Sequence, residues 1–473
     1  MSAAESIRYF LPELILAGSA ILVLIAGLFT GKRAVLGAFC LAAILLSIFC
    51  MPHSYEAAGP LFSNMLLNDT FSEFFKEISL LVIGLVILIS IGYKGFSDED
   101  AGEYYFLLLA AAVAMMVAAS SNNLMMIYIS LEAISLISYM LTAFLKRDRF
   151  SSEAALKYFL FGALATGVML YGISFIYGIF GTTDLSVISG MLGTAGANSL
   201  AAAVALLLVF AGLSFKCALV PFHMWVPDAY QGAPTPITAF LSAGPKAIGF
   251  AILVRVFLKN FFPLFTGWAD IAQAVAIITM TAGNIIAINQ EDIKRMLGYS
   301  SIAQAGYILI GFVVGTSLGI QAVMYYLIAY VLMNIGAFGC VILVSNSIKS
   351  DHIGEYTGLA KREPILAFML TIFLLSLAGI PPLAGFFGKF LVFASAIQSK
   401  YYMLAVAGIV NSVLAVYYYM KVIKFMYMGE PRMVAREHKP LSVKLALIIA
   451  LAGVLILGLF PVPFLRWIGN SLL

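Results

Sequence analysis

The sequence is poor in charge. Only 11% of its 473 residues are Asp, Glu, Lys or Arg, and 62% are hydrophobic; an ordinary soluble domain has roughly 25% charged and 45–50% apolar residues. A water-soluble fold of this length cannot hide so much apolar side chain. Cysteine is scarce too. Cys40, Cys50, Cys217 and Cys340 form no CxxC pair and all fall in apolar segments, which argues against a disulfide scaffold and against an iron–sulfur or zinc site in this chain. There is no GxGxxG after a strand, no P-loop, no HExxH and no GxSxG. The net charge of +4 comes without a basic run interleaved with aromatics, so nucleic acid is not an expected partner. The first apolar stretch lacks a basic start and carries Glu13, so it reads as a retained helix and not a cleaved signal.

What the chain has is long, unbroken apolar runs. They are continuous, not alternating, which excludes a barrel. With about 20 residues per crossing, the sequence predicts an all-α polytopic membrane protein of about fourteen spans. These fall near 9–29, 34–50, 78–93, 104–120, 122–145, 154–180, 200–220, 237–258, 271–289, 297–316, 320–344, 364–400, 402–428 and 441–463. Alternating the loops between two sides puts 18 of the 27 Lys and Arg on the side of the 30–33 turn, six on the other and three inside spans. By the positive-inside rule the lysine-rich side is the cytoplasm of a bacterial inner membrane, with both termini outside.

Two units of five spans are expected, 104–260 and 261–428, preceded by three helices in 1–103 and followed by a loop and helix in 429–473. An odd number of spans forces consecutive copies to face opposite ways. The fourth span of each unit, the seventh and twelfth of the chain, is broken by proline next to a lysine: Lys216 before Pro221, and Lys389 after Pro381-Pro382. Each break follows an Ala-Gly pair.

Four ionisable residues lie deep in these spans. Glu132 is about ten residues, or ~15 Å, past the Ser120–Asn123 turn, near the middle of a ~30 Å hydrocarbon core. Lys246 sits at similar depth in the eighth span, and Lys216 and Lys389 flank the two breaks. Each charge costs about 2.5–3.5 kcal/mol or more at an isolated helix centre, and such residues mark ion paths. A lysine's hold on its proton weakens on burial and strengthens beside a carboxylate. Glu132–Lys216 therefore reads as a modulating pair, with Lys246 the next carrier and Lys389 the last. Static ion pairing is the plain alternative. His223, close to Lys216 in PFHMW, is a further relay candidate whose plain reading is structural; His53, His352 and His438 fall in loops. Ser300, Ser301, Gln304 and Tyr307, with Tyr325, Tyr326, Tyr330 and Asn334, form polar stripes suited to a water chain or to interhelical hydrogen bonds.

LEAISLISYML around Glu132, PFHMWVPDAYQGAPTPITAFLSAGPKAIGF, NQEDIKRMLGYSSIAQAGY and LAGIPPLAGFFGKF, in that order, resemble the antiporter-like membrane subunits of respiratory complex I, the NADH-quinone oxidoreductase. Among these, the N-type subunit, counterpart of mitochondrial subunit 2, is the nearest: no L-type lateral helix follows residue 463, and Lys389 stands where the M type typically has glutamate. The resemblance implies fourteen helices, two inverted five-helix repeats and a proton channel whose charged residues fall on Glu132, Lys216, Lys246 and Lys389. It also implies a translocase subunit that binds no cofactor itself, with NADH, FMN, iron–sulfur clusters and quinone handled by partner subunits. Its neighbours are then other antiporter-like and small membrane subunits, with the peripheral redox arm reached indirectly. Cation/proton antiporters and membrane-bound hydrogenases use related subunits and supply the alternative parent complex.

Overall fold

A computed structural model describes residues 3–51, 59–192, 200–261, 264, 269–430 and 440–472. His53 and His438 lie outside the described residues. The elements run in order α1 (Ala3–Tyr9), α2 (Leu11–Gly27), α3 (Arg33–Cys50), β1 (Gly59–Leu61), β2 (Leu66–Asn68), α4 (Thr70–Ile91), α5 (Ala101–Ser120), α6 (Leu124–Thr142), α7 (Arg149–Phe180), α8 (Leu185–Met191), α9 (Leu200–Cys217), α10 (Trp225–Gly232), α11 (Thr235–Leu253), α12 (Ala269–Ile288), α13 (Ile293–Val314), α14 (Ser317–Ile348), α15 (Leu359–Arg362), α16 (Pro364–Ala378), α17 (Ala384–Gln398), α18 (Tyr402–Tyr427), α19 (Leu441–Leu459) and α20 (Pro461–Asn470). A wide helical turn, Val254–Asn260, extends α11.

Among the described residues, twelve helices are long and apolar enough to cross a membrane, and α2, α16 and α17 are shorter apolar helices. This is a multi-pass membrane protein with an antiporter-like helical fold. The expected twelfth span is two helices, interrupted at Gly379–Leu383. The seventh stops at Cys217, and Ala218 takes a left-handed φ of 62° before α10 resumes. One addition to the all-α expectation is a short antiparallel hairpin, Gly59 opposite Asn68, closed by Phe62, Ser63 and Asn64 at positive φ.

The helices sort by what covers them. Every residue of α11 and every residue of α13 from Met296 on, except Tyr299, is buried. A helix apolar on all faces belongs inside a bundle or in lipid, and these form the centre. The outer helices turn apolar side chains outward, among them Phe49, Leu164 and Val413, as a lipid-facing surface requires. Small residues let helices close up: a Cβ on Gly27 would stand 2.6 Å from Gly102 Cα, where α2 crosses α5. Side-chain caps fix the helix starts, with Asp69, Asn123, Asp148, Asp184, Asp292 and Thr316 each accepting from a first-turn backbone N–H.

Candidate proton path

Glu132 is half-buried on α6, and its Oε1 has no hydrogen-bond partner. Lys216, 4% exposed, lies in the last turn of α9 and donates from Nζ to Ser135 Oγ on α6 at 2.7 Å. The charge of Glu132 acts on Lys216, yet no ion pair joins them among the described residues. The expected pair is therefore apart, with Ser135, one turn beyond Glu132, holding the lysine. The break after α9 leaves carbonyls without helical partners. Trp225 Nε1 donates to the Phe215 carbonyl at 3.1 Å, and its indole stacks on Tyr158 with centroids 4.1 Å apart. His223, on the turn between α9 and α10, interacts with the Pro221 backbone, and its Nδ1 has no partner. No described hydrogen bond joins it to Lys216 or Lys246.

Lys246 is 1% exposed on α11. Its Nζ donates to the Ser301 carbonyl at 2.6 Å and to Ser301 Oγ, and it stands over the Tyr330 ring. Tyr330 OH donates to Ser301 Oγ at 2.7 Å, Asn334 Nδ2 donates to Tyr330 OH at 3.1 Å, and Tyr230 OH lies 3.2 Å from Ser301 Oγ. Lys246 belongs to the first expected unit, but its partners come from α13 and α14 of the second.

Lys389 is 3% exposed on α17. Its Nζ donates to the Ala378 carbonyl at 2.9 Å and to Ser412 Oγ at 3.0 Å, and lies 4.5 Å from the Tyr307 ring centroid. The acceptor carbonyl exists because α16 ends there. Gly379 takes a φ of +88°, and a Cβ on it would meet Lys389 Cδ at 2.8 Å; glycine meets both demands.

Around Lys389 the interior is rich in neutral polar groups. Tyr307 OH accepts from Asn284 Nδ2 at 3.0 Å, which also bonds Asn411, and Tyr418 OH donates to Asn284 Oδ1 at 3.0 Å. Tyr419 contacts Ser300 and, at 3.3 Å, Gln304 Nε2. Ser135, Asn284, Asn411, Ser412, Tyr418 and Tyr419 were not singled out in the sequence. A polar residue one turn from Glu132, and the Asn411-Ser412 pair within an apolar span, were the signals available.

Five stretches of chain assigned by charge to the lysine-rich side line a cavity of about 930 Å³, with Lys94, Lys157, Lys294 and Lys349 beside Asp148, Glu153, Asp228, Asp292 and Asp351. Lys294 donates to the Gln231 and Ala233 carbonyls at 2.8 and 2.7 Å, next to the end of α10. Asp228 on α10 accepts from Lys157 at 3.0 Å and from Arg295 at 2.7 Å. Burial alone would raise its carboxyl, but the bonds from Arg295 and Lys157 hold it below the ordinary carboxylate range. Away from this cavity, Arg255 bonds Asp69 at 2.8 Å and the Ala119 carbonyl at 3.0 Å. A further buried pair, Glu13–Lys76 at 2.8 Å, ties α2 to α4.

Three buried lysines, two of them beside helix breaks and all hydrogen-bonded to neutral oxygen, thus sit inside a multi-pass, antiporter-like membrane fold. Residues 121–415 match the family model described as NADH:quinone oxidoreductase/Mrp antiporter, TM, and the chain belongs to that family. It is 41% identical to NADH-quinone oxidoreductase subunit N 1 of Solibacter usitatus over 457 residues, covering 96% of this chain and 94% of that protein. It is 43% identical to NAD(P)H-quinone oxidoreductase subunit 2 of Picosynechococcus over 473 residues, covering 96% and 90%. Among solved structures, a chain of respiratory complex I from Thermus thermophilus with bound Aureothin aligns at a TM-score of 0.82 and 32% identity, covering 96% of this chain and 98% of that one.

Proposed function

We propose that this chain is a proton-translocating membrane subunit of an NADH-quinone oxidoreductase. Electron transfer from NADH to quinone in partner subunits drives protons through Glu132, Lys216, Lys246 and Lys389, with His223 as a candidate auxiliary carrier. The observation that carries this reading is the state of the three lysines. Each is at least 96% buried, and the hydrogen bonds described for each run to hydroxyl or carbonyl oxygen and none to a carboxylate. A carboxylate that approaches such an ammonium favours its charged form and one that retreats releases it, so movement of the carboxylate can switch proton uptake and release. Glu132, close to Lys216 but not bonded to it, fits the separated state of such a switch.

In this reading α2 and the broken α16–α17 pair complete fourteen crossings, and the cavity on the lysine-rich face is the cytoplasmic mouth, with both termini outside. NADH, FMN, iron–sulfur and quinone chemistry stay in the partner subunits, and neighbouring antiporter-like and small membrane subunits carry the energy to this one. Translocation is tested with Lys216→Ala and Glu132→Ala in the assembled complex. Each is expected to lower protons pumped per NADH oxidised while assembly persists; normal pumping in both would sink the assignment. Co-purification with flavin and iron–sulfur proteins tests the parent complex.

A further inference from the structure

One group of buried ionisable side chains takes no part in the lysine relay. It lies at the Asp69 end of α4, away from the cavity, which Tyr93 and Lys94 line just past the other end of that helix. Glu13, in the first turn of α2, is fully buried, and Lys76 on α4 is 2% exposed; Glu13 Oε1 lies 2.8 Å from Lys76 Nζ. Glu73, about one turn before Lys76, is 3% exposed, and its Oε2 has no hydrogen-bond partner. The charges that act on Glu73 are those of Lys76, Asp69 and Glu77, all on α4 or at its start. Asp69 is held by Arg255 through two bonds, at 2.8 and 3.2 Å, and by Lys259 at 3.7 Å, both from the wide turn after α11. From α20 the neighbouring group is neutral: Trp467 packs on Phe74.

Two buried carboxyls thus share one buried ammonium. A buried charge without a partner is too costly to keep and neutralises instead. Glu13 is the one that stays ionised, because it has Lys76 in contact and the N-terminus of α2 behind it. Glu73 has acidic residues four positions away on both sides, Asp69 and Glu77, an unfavourable spacing on a helix, and the one cation acting on it is engaged by Glu13. We propose that Glu73 is a proton-binding site, separate from the relay, that carries one proton as a neutral carboxylic acid at neutral pH. A lysine sits in the group, and among the described residues no three Asp, Glu, His or Cys side chains gather as a metal ion requires, so the ligand is a proton and not a metal cation. The bound proton leaves Lys76 to Glu13 and Arg255 to Asp69, the pairs that tie α2 to α4 and α4 to the end of α11. Loss of that proton sets a second carboxylate competing for Lys76, so the loaded site latches the N-terminal helices.

The test uses the whole purified complex and does not read pumping, so its outcome is independent of the lysine relay. In infrared difference spectra at neutral pH, the carbonyl stretch of one protonated carboxyl, shifted by heavy water, should be present in the parent and lost in Glu73→Gln. The same band should be lost in Glu13→Gln with Glu73 still in place, because Lys76 then turns to Glu73 and the proton leaves. Stability supplies a second sign. An unfolded glutamate is ionised above pH ~4.3, so folding takes up a proton at neutral pH, and the parent forfeits stability there that a glutamine keeps. Glu73→Gln should therefore raise the thermal midpoint at neutral pH, and the gain should vanish below pH ~4. An ionised, paired Glu73 gives the opposite: no carboxyl band in the difference spectrum, and a midpoint that falls at neutral pH and recovers on acidification. Either result overturns the site. If Glu73→Gln does not assemble, Glu13→Gln carries the infrared test, and an unchanged spectrum there overturns it equally.

Discussion

The two five-helix units we propose open alike and diverge inside. In the first, Asn123 caps α6 and pairs by an isolated bridge with Asp184, just past the end of α7. In the second, Asp292 caps α13 and pairs in the same way with His352, just past the end of α14. The first bridge adjoins the hairpin, where Asn122 N–H bonds the Met65 carbonyl; the second adjoins the lysine-lined cavity, to which Asp292 contributes. In the inverted repeat we propose, these two devices are counterparts. Aligned on those caps, the ninth residue of α6 is Glu132 and the ninth of α13 is Ser301; the twelfth residues are Ser135 and Gln304. The first unit keeps a carboxylate where the second has a hydroxyl. The lesson is electrostatic: a permanent anion beside every lysine would hold each one charged, so in the relay we propose the carboxylate stands at one step and neutral oxygen serves the later ones.

The sharpest way to break this comparison is to make the units alike. Ser301→Glu places a carboxylate at the spot where Lys246 now finds a hydroxyl. A buried Lys–Glu pair in contact is costly to separate, so Lys246 should stay protonated and NADH-driven pumping should fall about 10²-fold or more, with the complex still assembled. Pumping at the parent rate would mean that the contrast between Glu132 and Ser301 has no functional content.

A smaller effect is expected at the second break. Gly379→Ala puts a side chain on a residue at φ +88°, with its Cβ 2.8 Å from Lys389 Cδ. Strain of this kind costs about 1–3 kcal/mol, and relief requires Lys389 to leave the Ala378 carbonyl. The thermal midpoint of the complex should drop and pumping should fall with it. Gly181→Ala is the comparison: it also lies at positive φ, but nothing stands within 4 Å of the added Cβ, so it should lower the midpoint and leave pumping alone. If both variants pump normally, the second break does not have to hold Lys389 at its carbonyl.

Much of this was legible in the chain because membrane burial makes ionisable residues conspicuous. Glu132, Lys216, Lys246 and Lys389 stand out by depth alone, and the prolines mark the breaks. Stretches near Lys94, Asp148, Asp228, Asp292 and Lys349, counted on one side by charge, line the same cavity. What the sequence did not yield are the partners. Nothing in the order of residues says that Lys246 of the first unit rests on Ser301 of the second, or that Lys389 bonds a carbonyl of its own broken helix, because those contacts join segments far apart in the chain. Neutral groups such as Asn284 and Tyr418 are equally at home in ordinary interhelical bonds, so only their geometry distinguishes them. The hairpin escaped notice because two three-residue strands carry almost no periodic signal.

The smallest effect belongs to the strut that joins the units. Asp228 links Lys157 on α7 to Arg295 on α13 at the rim of the cavity, so it ties the first proposed unit to the second without touching any of the buried lysines. Its carboxyl is held below the ordinary range. The stability it contributes is therefore complete above the unfolded value near pH ~3.9 and is lost as pH falls through the lower folded value. The side chains are partly exposed, so the pair contributes no more than about 1 kcal/mol. Asp228→Asn should lower the thermal midpoint slightly at neutral pH, and the gap to the parent should close as the medium is acidified below pH ~4. Protons pumped per NADH should be unchanged at neutral pH, since a strut only has to hold the two units in register. A pumping defect in Asp228→Asn without a change in midpoint would move Asp228 from the scaffold into the conducting path, and the division drawn between the two units would then have to extend to the cavity mouth.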